Sequence, residues 1–226
     1  MEVFELTAQV AFSEKLPQHR VLREIGSYIG SMAESAGQER EMYTFDLPYP
    51  RDEKKCYEPG KVYSFHIRTV SVKIKDVLAQ RLPWYSTETV QGLSAEAEVL
   101  PRAMLYRVYS VSPVVFLASG GYRRGKDRRK NIIALLEQDL LRKYHMIYPD
   151  RIRDKITMLK NVRIENRAPL SVNCGGRILM GDRLDILPET DPVSQDIFYV
   201  ALGTGLGNYT EYGNGFMGYR VLKEWT

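Results

Sequence analysis

Apolar and polar positions alternate over residues 3–12, which predicts a strand with one face inward. Beyond Pro17, the residues Val21, Leu22, Ile25, Ile29, Met32 and Ala33 recur at helical spacing up to Ser35, so the strand leads into an amphipathic helix. Residues 42–45 read as a short strand. The charged run 51–55 reads as an exposed turn, closed by Pro59 and Gly60. Alternation returns over 61–69, carried by Val62, Tyr63, Phe65 and Ile67. A helix follows over 72–82, with Ile74, Val77 and Leu78 inward and Pro83 as its stop. A strand over 91–100 ends at Pro101. The order is βαββαβ.

The second half repeats that order. Residues 104–117 read as a strand whose Pro113 calls for an edge position or a bulge. Residues 126–145 form a long amphipathic helix with Ile132, Ile133, Leu135, Leu136, Leu140 and Leu141 as its apolar set. Strands at 155–165 and 177–187 are joined by a loop containing Pro169 and Gly175-Gly176. Asp191 and Pro192 supply an N-cap and a first-turn proline for a helix to Leu202. A glycine-rich stretch and a strand over 216–222 close the chain. The expected fold class is α+β: two tandem ferredoxin-like (RRM-like) βαββαβ domains, residues 1–101 and 102–226. The same topology serves single-strand RNA-binding modules.

Composition supports this picture and narrows the chemistry. A chain of 226 residues with 44% hydrophobic and 27% charged residues has room for two small cores. No apolar run approaches a membrane span and no secretory signal opens the chain, so the expected compartment is the cytoplasm, with no membrane contact. Cys56 and Cys174 lie far apart and suggest reduced thiols, and the scattered His19, His66 and His145 form no metal-ligand spacing. No metal and no cofactor are expected.

The net charge of +4 is unevenly spread. Residues 121–130 contain Arg123, Arg124, Lys126, Arg128, Arg129 and Lys130 against Asp127 alone. A solvated face accounts for such a run, and so does a phosphate-tracking segment at a loop-to-helix junction. The glycine stretch has six glycines between Gly203 and Gly218. Backbone N–H groups in such loops bind anions, which makes Gly205, Gly207, Asn208, Tyr209, Tyr212, Gly213 and Gly215 candidate contacts to a phosphate-bearing partner. Tyr209 and Tyr212 have two readings, base stacking and plain loop ordering. Neither a P-loop ending nor a dinucleotide-fold acidic residue accompanies the stretch.

Four stretches carry a family resemblance. They are Leu16 through His19-Arg20 to Tyr28, Tyr43-Thr44-Phe45-Asp46 with Tyr57-Glu58-Pro59-Gly60 and the strand to Phe65, Asp139 through Lys143 to Tyr148, and Gly205-Leu206-Gly207 with Gly213-Asn214-Gly215-Phe216-Met217. Together they resemble the RAMP superfamily of CRISPR-associated proteins, and within it the endoribonucleases that cut CRISPR precursor RNA in the repeat. Met217 stands where that family has its last glycine, with Gly218 one step later. The resemblance implies a metal-independent cleavage by 2′-OH attack, leaving a 2′,3′-cyclic phosphate or 3′-phosphate and a 5′-OH. It implies CRISPR repeat RNA as partner, other effector subunits as further partners, and a monomer or homodimer.

Within the family, one arrangement uses a His at the start of the first helix, where His19 stands beside Arg20. Another uses a helix Tyr, matching Tyr28, with a His before the second strand. Here that segment is Gln38-Glu39-Arg40-Glu41, without His. The expected catalytic set is therefore His19, Tyr28, Arg20 and Arg40, with His19 foremost. Tyr28 lies about 13.5 Å further along an ideal helix, so the two cannot readily share one phosphate. Helix capping for His19 and a core-edge place for Tyr28 are the plain alternatives. The competing functions are a non-catalytic RAMP-type RNA-binding subunit and a ferredoxin-like adaptor for protein.

Overall fold

A computed structural model describes residues 1–35, 37, 40–51, 56–117, 128–149, 151 and 156–222. The first half runs β1 (Phe4–Phe12), β2 (Leu16–Pro17), α1 (Gln18–Ser35), a 3-10 turn Arg40–Met42, β3 (Tyr43–Phe45), β4 (Cys56–Tyr57), β5 (Val62–Thr69), α2 (Val72–Arg81) and β6 (Val90–Val99). Its four-stranded sheet has the order β3-β5-β1-β6, with every recorded pairing antiparallel. Inward residues of β1 (Leu6, Ala8, Val10) and β5 (Phe65, Ile67) share a core with Val21, Ile25 and Ile29 of α1 and Ile74 and Leu78 of α2. Ser71 caps α2 by accepting the N–H of Ile74.

The second half runs β7 (Leu105–Ser110), β8 (Val114–Val115), α3 (Arg128–Ile147), β9 (Leu159–Ile164), β10 (Leu170–Cys174), β11 (Arg177–Asp182), β12 (Leu184–Pro188), α4 (Pro192–Thr204), a 3-10 turn Thr210–Tyr212 and β13 (Met217–Val221). Its main sheet has the order β13-β7-β12-β9. Both sheets place the first and third strands of their unit in the centre, the ferredoxin-like order. The fold is α+β with two such units in tandem. Asp191 accepts the N–H groups of Val193 and Ser194 and starts α4, with Pro192 in the first turn.

Three local expectations change. Residues 104–117 are not one strand: β7 ends at Ser110, and β8 joins a separate sheet of order β10-β11-β8. Pro113, without an N–H, cannot continue the ladder. Residues 177–187 likewise divide into β11 and β12, which serve different sheets. The segment expected as a loop between 165 and 177 contains β10, hairpinned to β11 through Gly175 and Gly176, both at positive φ.

Candidate nucleic-acid interface and proton-transfer site

The glycine stretch lies against the first helix. Positions 19, 22, 26 and 30 of α1 fall on one face at three- and four-residue spacing. A Cβ on Gly26 would stand 2.6 Å from the carbonyl oxygen of Glu211, so only glycine lets the turn approach this closely. Leu22 packs against Gly213. His19 is one turn before Leu22 on that face, exposed, with no hydrogen bond or ion pair to a described residue. Arg20 is half-exposed and pairs with Glu14 at 3.1 Å and Glu24 at 3.8 Å. Gly26, Ser27, Gly30 and Ser31 of α1 line a 290 Å³ cleft closed by Tyr43 and Tyr212.

Tyr28 points into the core and is fully buried. Its hydroxyl lies 2.9 Å from the carbonyl oxygen of Leu82 and 3.0 Å from that of Tyr85, and its ring packs on the Tyr85 ring. Burial raises its pKa well above the ordinary phenol value. This is the core-edge alternative carried to its limit, because the hydroxyl holds the loop between α2 and β6. Arg40 belongs to the 3-10 turn before β3, and its side chain lies outside the described residues.

The glycine loop folds back on the protein, and most of its N–H groups bond within it. Gly205 donates to Ala201, Leu206 to Gly215, Asn208 to Val115, Gly213 to Thr210 and Gly215 to Pro113. Gly207 donates to the Asp139 carboxylate at 2.7 Å, and Phe216 to the Ser112 hydroxyl at 2.9 Å. Gly205, Gly207, Gly213 and Gly215 all have positive φ and are buried, so the loop is a folded wedge. Asn208, Tyr209 and Tyr212 stay half-exposed and offer side chains rather than backbone. The Tyr209 and Tyr212 rings are 6.2 Å apart.

Sequence reasoning missed what holds this wedge. Lys143 is fully buried and donates from Nζ to the carbonyls of Gly205 (3.0 Å) and Gly207 (2.7 Å), beside Asp139 at 3.3 Å. Desolvation pushes the Lys143 pKa down, against the pull of Asp139. A Lys and an Asp one turn apart on the inward side of a helix were the available signal. His66 of β5 pairs its Nδ1 with the Asp46 carboxylate at 3.0 Å, and that hydrogen bond raises its pKa.

The basic run divides. Arg123, Arg124 and Lys126 lie outside the described residues. Arg128 is tied to Asp182 and to the carbonyl of Arg167 at 3.1 Å, while Arg129 donates to Val162 and Asn161 of β9. Lys130 is exposed on the first turn of α3. Among the described residues no cluster of three or more His, Cys, Asp or Glu could hold a metal ion, and no helix is long and apolar enough to cross a membrane.

Solved structures share this whole arrangement of tandem units. The fold is that of Cas6 and RAMP proteins. A CRISPR-associated protein Cas6 aligns with 97% of this chain and 100% of its own, at 13% identity and a TM-score of 0.70. A Cas6-related protein of Pyrococcus furiosus aligns with 98% of this chain and 99% of its own, at 13% identity and a TM-score of 0.65. A RAMP protein described as binding different RNA substrates aligns with 96% and 99%, at 14% identity and a TM-score of 0.65. No family model and no curated protein sequence matches the chain. The likeness is therefore one of fold, carried over full length with sequence almost entirely exchanged.

Proposed function

We propose that the protein is an endoribonuclease that cuts CRISPR precursor RNA within the repeat without a metal ion. The observation that carries this reading is the full-length Cas6-type fold with an exposed His19 on the α1 face against which the glycine wedge packs. His19 moves the proton, as base towards the 2′-OH or as acid towards the leaving 5′ oxygen. An imidazole suits either step because its ordinary pKa of about 6.5 lies near working pH. Arg20 is the adjacent cation for the phosphorane, and Arg40 is held as a second. Tyr28 drops out of the set, since its hydroxyl is buried and bonded to backbone. Products are a 2′,3′-cyclic phosphate or 3′-phosphate and a 5′-OH. Phosphates are gripped by the 123–130 segment.

A second reading is favoured by the same histidine. No described carboxylate or carbonyl orients the His19 ring, as catalytic histidines commonly require. On that reading the protein is a RAMP-type subunit that holds RNA in an effector complex. Incubation of repeat RNA with the protein in EDTA separates the two. The nuclease reading expects cleavage, with His19→Ala slowing the single-turnover rate at least about 10²-fold at nearly unchanged RNA affinity. Binding without cleavage supports the subunit reading, and the absence of both supports the protein-adaptor reading.

A further inference from the structure

The two sheets expose open faces that carry different side chains. On the second sheet, the register aligns Gly218, Tyr109, Asp185 and Arg163 across four strands. The next row contains Arg220 opposite Arg107. These side chains point away from the core formed by Val108, Ile186 and Val162, since neighbours along a strand face opposite ways. A Cβ on Gly218 would lie 2.4 Å from Cζ of Tyr109, so the ring crosses the place where a side chain would stand and lies down along the sheet. The Arg107 guanidinium is 5.7 Å from the centre of that ring. Asp185 accepts from Arg107 at 2.6 Å and from Arg163 at 2.8 Å, which holds both guanidinium groups on the face. Arg163 also meets Glu165, and Arg220 is exposed.

On the first sheet the matching open positions are Glu5, Thr7 and Gln9 of β1, Ser64, His66 and Arg68 of β5, and Glu96 and Glu98 of β6. That face carries three glutamates, the His66 imidazole and, bridged to Ser64, Tyr49. Part of it is covered, because Arg68 donates to the carbonyl of Met217 and stacks on Phe216.

We infer that the open face of the second sheet is a binding surface for single-stranded RNA, with one base stacked on Tyr109 and flanking phosphates on Arg107, Arg163 and Arg220. A ring laid flat on a four-stranded sheet between arginines provides both terms of single-strand binding: a sequence-tolerant stacking platform and cations for the backbone. The surface lies across the second sheet from α3 and α4, and so is separate from the α1 face that carries His19. It would hold RNA flanking the cleavage site. The inference rests on the RNA reading above and deepens it.

The test is binding of the full chain to a labelled single-stranded RNA of about twelve nucleotides, followed by anisotropy across a salt series, with melting curves on every variant. Tyr109→Ala should weaken binding roughly 5- to 150-fold, while Tyr109→Phe, which keeps the ring, stays close to wild type. Arg163→Ala with Arg220→Ala should flatten the slope of log affinity against log salt by about 0.7 for each lost contact. Wild-type binding that is indifferent to Tyr109→Ala and to the arginine pair overturns this surface and leaves the RNA reading standing. Absence of any wild-type binding overturns both. If Tyr109→Ala melts early, the salt slope of the arginine pair decides alone.

Discussion

Tyr28 has one hydroxyl proton and two carbonyl acceptors within 3.0 Å, at Leu82 and Tyr85. The loop between those residues ends α2 and displays Trp84, which is 87% exposed, so its shape is imposed from beneath. Removing the hydroxyl leaves buried acceptors without their donor, a loss of about 1–3 kcal/mol. Tyr28→Phe should lower the urea-unfolding free energy by that amount and leave single-turnover RNA cleavage unchanged. A variant of normal stability that no longer cleaves would put the chemistry on the helix tyrosine after all.

At the scale of the element, α1 contains two glycines whose environments differ. Alanine is the better helix former by about 1 kcal/mol, so either replacement would favour an isolated helix. A Cβ on Gly26 meets the Glu211 backbone at 2.6 Å, whereas one on Gly30 finds only the Tyr43 hydroxyl at 3.7 Å. Gly26→Ala should therefore destabilise the protein by about 1–3 kcal/mol, the usual cost of overpacking. Gly30→Ala should stabilise it by up to about 1 kcal/mol. Thermal melts of the two variants give opposite signs if the wedge is seated on α1, and the same sign if it is not.

For the whole molecule, the two units are joined by polar contacts as well as apolar packing. Arg68 of the first sheet, 7% exposed, bonds Glu5 at 2.5 Å and the Met217 carbonyl at 2.6 Å. Its guanidinium also lies 4.5 Å from the centre of the Phe216 ring. The hydroxyl of Tyr199 on α4 meets the Val3 N–H and the Leu100 carbonyl. Arg68→Ala strands the Glu5 carboxylate, and breaking a buried pair from one side costs about 3–5 kcal/mol. Hydrogen exchange should quicken over residues 216–219 in particular. Uniform loosening of both sheets, without that focus, would argue against Arg68 as the tie.

Periodicity along the chain was enough to find β1, α1, β5, α2 and β6, because each buries a face whose spacing is set by its own backbone geometry. The N-cap at Asp191 was legible for the same local reason. Where a strand changes sheets, at Ser110 and again between β11 and β12, the apolar pattern runs on while the partner changes, and only pairing decides. The candidate site divides in the same way. The chain alone put His19 at the start of a helix and glycines before the last strand. It could not say that N–H groups of the wedge are consumed by Val115, Pro113 and Asp139, since those partners come from distant segments. The helix period put Tyr28 on the face of Val21, Ile25 and Met32, but it could not say that the hydroxyl there meets the carbonyls of Leu82 and Tyr85. The roles of Lys143 and Arg68 likewise exist only across elements and units, where tertiary contact supplies the second half of each interaction.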